Sequence, residues 1–220
     1  MADHLSDQEQ LQVIKNWWTQ NGRYLLICIA VSVSAYLSWQ WWTASQQQHA
    51  EQASAIYSEL VASVVTSSVE PLSSDELTTA TFLVEQLKND FSDTAYAVNA
   101  ALLQAKLDVD QGDLERAVDA LNFAIDNGNS DIQVVATHRL ARVYLAQKNM
   151  NEALVLASYD KNDAFASKYA DLRGDIYSAK GDIAAAVAAY RQALSDMEDG
   201  DGIQRNLIEI KLADLSASGE

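Results

Sequence analysis

The chain has 220 residues, with 15 Lys and Arg against 31 Asp and Glu and a formal net charge of −16. So acidic a body repels the phosphates of nucleic acid and the headgroups of anionic lipid, which excludes electrostatic binding to either. One proline, eight glycines and one cysteine exclude a disulfide scaffold and point to an all-α fold, because helix breakers are scarce and good helix formers plentiful.

Residues 1–23 are expected to form a cytoplasmic tail. Leu11, Ile14, Trp17 and Trp18 recur at spacings of three and four, which suits a short amphipathic helix on the membrane surface, ended by Asn21-Gly22. A disordered tail with a few apolar residues is the alternative.

Residues 24–42, YLLICIAVSVSAYLSWQWW, carry no charge. At about 1.5 Å per residue such a stretch covers about 28 Å as a helix, close to the hydrocarbon thickness of a bilayer. Trp17, Trp18 and Tyr24 at one end and Trp39, Trp41 and Trp42 at the other suit the two half-wet headgroup layers. Lys15 and Arg23 precede the span, and the next basic residue is Lys88, so the positive-inside rule puts the N-terminus in the cytoplasm. Trp41 and Trp42 stand where a cleavable signal needs small residues, which favours an uncleaved signal anchor. Ser32, Ser34 and Ser38 either make a small-residue face for a neighbouring helix or are tolerated in lipid.

Residues 43–220 are expected to form one periplasmic domain. They hold 13 basic and 28 acidic residues, a formal −15, and no cysteine, because Cys28 lies in the span. TASQQQHAEQ either continues the spanning helix outward or hinges at Gln46 to Gln48. Two helices follow, with apolar faces made of Tyr57, Leu60, Val61 and Val64, then of Leu77, Phe82, Leu83 and Leu87. Between them, Pro71 marks a loop and Ser73 and Ser74 stand ready to cap the next helix.

Three later segments align: GDLERAVDALNFAI from Gly112, KNMNEALVLA from Lys148 and GDIAAAVAAYRQAL from Gly181. Ala117, Ala153 and Ala186 hold equivalent places 36 and 33 residues apart, near the 34-residue period of helix-turn-helix tetratricopeptide repeats. Twelve residues earlier stand Ala105, Ala141 and Gly174. Small residues at both places let paired helices approach closely. Three positions further on come Asp108, Tyr144 and Tyr177. The last segment, with Ile203, Leu207, Ile210 and Leu215, reads as a capping helix packed through those four residues. The fold class is therefore all-α: one N-terminal transmembrane helix, then a tetratricopeptide-like α-solenoid.

Catalytic and metal chemistry have no footing. His4, His49 and His138 lack metal-ligand spacing, and no phosphate-cradling glycine loop or nucleophile elbow occurs. The acidic run from Asp196 to Asp201 reads as a solvated loop, since position twelve of an EF-hand counted from Asp196 is Leu207. The chain is read as a non-enzyme without cofactor.

A solenoid binds through the first helices of its repeats. Counting from the aligned small residues, the candidates for a protein-binding groove are Asn99, Leu102 and Lys106; Val135, His138 and Arg142; and Lys168, Asp171 and Asp175. The basic members either pair with carboxylates or carbonyls of a bound segment or form ordinary surface ion pairs.

Three segments carry a family resemblance: DQEQLQVIKNWWTQNGRYL before the span, HRLARVYLAQKN in the second repeat and YADLRGDIYSAKGD in the third. With them the chain resembles the YfgM family, single-span tetratricopeptide-like proteins that accompany the SecYEG translocon in Gram-negative bacteria. The run Ala170 to Asp175 and the tail's Asp-Gln followed by Ile-Lys and Asn-Gly are the most specific parts. The resemblance implies an inner-membrane protein with a periplasmic domain, associated with SecYEG and the chaperone PpiD. It further implies a part in passing nascent or unfolded secretory proteins to periplasmic chaperones, and a link to regulation of the Rcs stress response. It supplies no catalytic or ligand residues. The same architecture would also suit a scaffold of another envelope assembly, such as cell division or outer-membrane biogenesis.

Overall fold

The computed structural model describes residues 7–65, 72–158, 163–197 and 202–217. Pro71, His4 and the acidic residues 198–201 lie outside them. The chain divides into two compact units, Met1–Gln52 and Ala53–Glu220.

The first unit belongs to helix α1, Asp7–Val65. Part of α1 is long and apolar enough to cross a membrane, and none of that stretch is buried. Leu26, Ile29, Val31, Val33 and Leu37 are all exposed, an arrangement that water punishes and lipid rewards. It is a candidate transmembrane helix. Asn21-Gly22 does not end a helix, contrary to the sequence expectation. The Asn21 amide donates to the Trp17 carbonyl at 3.2 Å, and Gly22 lies against the Trp18 ring, so both residues serve a continuing helix. Gln46 to Gln48 are helical as well, with the Gln47 amide donating to Glu51 at 2.9 Å.

The second unit starts with the last turns of α1 and continues through α2 (Ser74–Asp90), α3 (Ala95–Asp110), α4 (Leu114–Asn127), α5 (Ser130–Ala146) and α6 (Met150–Ala157). A 3-10 turn, Asp163–Phe165, leads to α7 (Ala166–Ala179), α8 (Ile183–Ser195) and α9 (Gly202–Ala217). Among the described residues there is no strand. The pairs α3/α4, α5/α6 and α7/α8 pack as antiparallel neighbours, each pair against the next.

Local chemistry starts most of these helices. Ser73 caps α2 in a capping box, accepting from the Glu76 amide while its own amide donates to Glu76 Oε2 at 2.8 Å. Thr94, Asp113, Asn129 and Asp182 cap α3, α4, α5 and α8 by accepting from the amide three residues on. Each such cap is worth about 1 kcal/mol.

The turn inside each repeat is built the same way three times. Gly112, Lys148 and Gly181 have φ of 79°, 62° and 77°. The next amide, of Asp113, Asn149 and Asp182, donates back to the carbonyls of Asp108, Tyr144 and Tyr177 at 2.8, 2.8 and 3.0 Å. This is the left-handed C-terminal cap that glycine adopts most readily, and Lys148 adopts it without that advantage.

The aligned small residues sit where the helices touch. Ala105, Ala117, Ala141, Ala153, Gly174 and Ala186 are all buried. Larger residues fill the layers between: Leu60 and Leu87 at the start, Leu121 and Leu140 in the middle, Ile176 and Ile208 towards the end. Burying one such side chain contributes roughly 1.5–3 kcal/mol.

Two apolar faces differ from those read in the sequence. In α2 the buried stripe is Ala80, Leu83, Val84 and Leu87, while Phe82 is 67% exposed. In α9 only Leu215 of the expected four is buried; Ile203, Leu207 and Ile210 are 90%, 46% and 65% exposed. The helix instead turns Gln204, Ile208, Lys211 and Leu215 towards α7 and α8, at spacings of four, three and four. That face is rotated by about 100°, one residue of helix, from the expected one. A charged residue holds the centre of the packed stripe, which apolar periodicity alone does not anticipate.

Candidate partner-binding groove

The run Ala170 to Asp175, one of those that carry the sequence resemblance, is spent on packing. Ala170 and Leu172 are buried. The Arg173 guanidinium donates to the Ala157 carbonyl at 3.0 Å and to the Gln192 side chain at 3.1 Å, so it satisfies the end of the eight-residue α6. Gly174 makes room for the Tyr190 ring. Tyr190 Oη donates to Asp175 Oδ1 at 2.7 Å.

Asp171 and Asp175 face α9. Lys211 Nζ lies 2.8 Å from Asp171 Oδ1 and 2.7 Å from Asp175 Oδ1, and Gln204 donates to Asp171 Oδ2 at 3.0 Å. Burial pushes the Asp171 carboxyl above the usual aspartate range, although Lys211 opposes the shift. Tyr190 is likewise raised, by burial and by its bond to Asp175. These two aspartates, read in the sequence as groove residues, are engaged with the terminal helix.

The other candidates divide between core and surface. Leu102 is buried in the same cluster as Ala105, Leu121 and Leu140, and Asn99 and Val135 are half-buried. His138 is half-buried on α5, with Nε2 3.3 Å from the Lys168 carbonyl and its ring edge-on to Tyr169 at 5.2 Å between centroids. Burial, reinforced by Arg142, Lys168 and Arg139, holds its pKa down to about 4, against a smaller raising effect of the Lys168 carbonyl. The neutral ring thus bridges two repeats. Tyr169 adds a second bridge, donating to the Val134 carbonyl at 2.8 Å. Lys168 is exposed, its ammonium 4.5 Å from the Phe165 ring centre.

Lys106 and Arg142 are brought together. They line a cleft of about 590 Å³ between α3, α4 and α5. Arg139 joins them, three residues before Arg142 on the same helix. Sequence reasoning missed Arg139, although its spacing from Arg142 put both on neighbouring rows of one helix face. Asp110, the one acidic residue of the lining, pairs with Lys106 at 2.7 Å.

Asp108 stands where the other two repeats carry Tyr144 and Tyr177. It is 3% exposed, its Oδ1 lies 3.8 Å from Arg116 Nε, and its Oδ2 has no partner among the described residues. Burial raises its pKa against the pull of Arg116. Among the described residues no group of three or more His, Cys, Asp or Glu side chains is placed to hold a metal ion.

Comparison with known proteins agrees with this architecture along nearly the whole chain. A family model described as "Tetratricopeptide repeat-like domain" matches residues 15–217. The "Ancillary SecYEG translocon subunit" of Aggregatibacter actinomycetemcomitans is 31% identical over 216 residues, covering 98% of this chain and 100% of the relative. Proteins with the same name from Haemophilus influenzae and Escherichia coli are 29% and 27% identical, each again with 98% of this chain and all of the relative covered. No solved structure matches. The end-to-end correspondence, from the exposed apolar helix to the capped repeats, shows that the chain belongs to the tetratricopeptide-like family of ancillary SecYEG translocon subunits.

Proposed function

We propose that the protein is a non-enzymatic adaptor of the inner membrane that sits beside the Sec translocon and hands emerging proteins to periplasmic chaperones. The observation that carries this reading is the full-length match to ancillary SecYEG translocon subunits, which leaves no segment of those relatives uncovered. α1 serves as an uncleaved signal anchor at residues 24–42, with residues 1–23 cytoplasmic and residues 43–220 periplasmic. The basic residues Lys15 and Arg23 before the span, with the next only at Lys88, support that orientation. Helical repeats with exposed side chains on their first helices support a binding role. PpiD as the partner chaperone, and a regulatory link to the Rcs stress response, rest on the resemblance of the sequence segments alone.

The reading is tested in cells with a photocrosslinking amino acid at Lys106 or Arg142 of the full-length protein. Capture of a SecYEG component, a periplasmic chaperone or a nascent secretory chain is the expected result. Capture confined to division or outer-membrane assembly proteins would overturn it. A reporter active only outside the cytoplasm, fused after residue 220, is expected to be active; activity only when it precedes residue 1 reverses the topology.

A further inference from the structure

The cleft between α3 and α5 inverts the charge of the molecule. Its lining holds Lys106, Arg139 and Arg142 against Asp110, in a chain whose net charge is −16. Lys106 and Asp110 neutralise each other at 2.7 Å. That leaves Arg139 and Arg142, both exposed, with no ion pair among the described residues. Two guanidiniums side by side on one helix repel each other, and they gain most when a carboxylate pair bridges them in the forked geometry arginine favours.

Between the cations the floor is apolar. Leu114, Leu121, Val143 and Ala146 line it, with Leu121 and Val143 themselves in the core. A volume of about 590 Å³ lies within the roughly 300–1,000 Å³ of sites that take small ligands or a few anchor side chains. The floor selects bulky aliphatic side chains and the rim selects carboxylates. Anything basic is doubly disfavoured, by these arginines nearby and by desolvation at the floor.

We infer that this cleft is a docking site for an acidic-aliphatic peptide segment of a partner protein, with one or two leucine-like side chains on the floor and flanking Asp or Glu on Arg139 and Arg142. This rests on the adaptor reading and names the chemistry of its partner. Charge complementarity argues for a partner segment over a membrane surface, because the acidic body around the cleft opposes approach to anionic lipid, whereas a short peptide can enter alone.

The test is fluorescence anisotropy on the full-length protein in neutral detergent micelles. The probe is a labelled twelve-residue peptide with a central Leu-Leu pair flanked on each side by two Glu. Saturable binding is expected, weakened about tenfold or more when the glutamates are replaced by glutamine or when Arg139→Glu and Arg142→Glu are combined. Binding should also weaken steeply with salt. Ala146→Trp, at an exposed position of the lining, should weaken binding without altering charge, and circular dichroism melts establish that the variants fold. Equal binding of the glutamate and glutamine peptides, or binding unaffected by both sets of substitutions, overturns the inference. So does binding to anionic vesicles that the peptide cannot displace, or a self-association that both variants abolish while the peptide fails to bind. The two readings fail separately: if the Arg139→Glu, Arg142→Glu protein still crosslinks to the translocon from other positions while peptide binding is unaffected, only the peptide inference falls, whereas crosslinks confined to division or outer-membrane assembly proteins overturn the adaptor reading itself.

Discussion

The Tyr190 ring occupies the space that a side chain at Gly174 would need. A Cβ built at position 174 would overlap ring atoms Cδ1, Cε1 and Cζ. The ring has little room to retreat, because Tyr190 is 3% exposed and its hydroxyl is tied to Asp175 at 2.7 Å. Gly174→Ala gains about 1 kcal/mol of helix propensity, but overpacking of a filled core costs roughly 1–3 kcal/mol. The clash is expected to win, lowering the thermal midpoint by about 2–4 °C. In Tyr190→Leu the same substitution should cost less, so the pair is non-additive. A denaturation midpoint unchanged by Gly174→Ala in the wild-type background would show that α7 and α8 do not meet at this register.

Lys148 supplies a prediction of the opposite sign. It takes the left-handed turn conformation that Gly112 and Gly181 take in the neighbouring repeats. A residue with a Cβ costs roughly 1–2 kcal/mol there, and glycine returns part of that as unfolded-chain entropy. Lys148→Gly is therefore expected to stabilise by about 0.5–1 kcal/mol, while Gly112→Ala and Gly181→Ala destabilise by a similar amount. Urea titration of the full-length protein in micelles measures all three. Destabilisation by Lys148→Gly would mean that the side chain itself contributes more than its backbone strain costs.

How far the sequence discloses the structure depends on whether local pattern or a distant partner decides each position. The small residues at Ala105, Ala117, Ala141, Ala153, Gly174 and Ala186 are legible because close helix packing admits little else there, and the turns beside Gly112 and Gly181 are legible from glycine. The uncharged run 24–42 is legible as part of a helix long and apolar enough to cross a membrane, because a run of that length without charge leaves it no polar face. The orientation of α9 is not legible. Its packed stripe contains Lys211, whose place is decided by Asp171 and Asp175 some 40 and 36 residues away in sequence. The same long-range pairing engages those two groove candidates with α9. Arg139 and Arg142 reach the cleft of Lys106 because α4 packs against both α3 and α5; the repeat register puts Lys106 and Arg142 at equivalent places, but it does not count Arg139 among them.

His138 makes stability depend on pH. Its folded pKa is about 4, below the unfolded value of about 6.5. Between these values the unfolded chain binds the proton and the folded chain does not, so stability falls as pH drops from about 6.5 towards 4 and this contribution levels off below. Burial is the main cause, with Arg142, Lys168 and Arg139 adding to it. His138→Gln keeps a side chain that can donate to the Lys168 carbonyl and should flatten the slope in that window, measured as the difference between denaturation midpoints at pH 7 and pH 4.5. An identical slope in both proteins would assign the pH dependence to other groups.

Lys211 decides how the repeat array ends. Its ammonium bridges two carboxylates on α7 and lies 5.3 Å from the centre of the Tyr190 ring. Lys211→Met removes the bridge and leaves Asp171 and Asp175 facing each other across a partly buried contact. Breaking a fully buried pair costs about 3–5 kcal/mol; with side chains still 14% to 34% exposed, about 2 kcal/mol is expected at pH 7 after allowance for solvent screening. The Asp171 carboxyl is already raised with the lysine present, and without it protonates at still higher pH. The deficit is therefore largest at neutral pH and shrinks as pH falls through that raised value. Adding Asp171→Asn should recover much of it at pH 7. Ile203→Ser and Ile210→Ser, on the exposed side of α9, should change stability by less than about 0.5 kcal/mol. If Ile210→Ser costs more than Lys211→Met, α9 packs through the aliphatic face that its sequence suggests, and the lysine bridge is not what holds it.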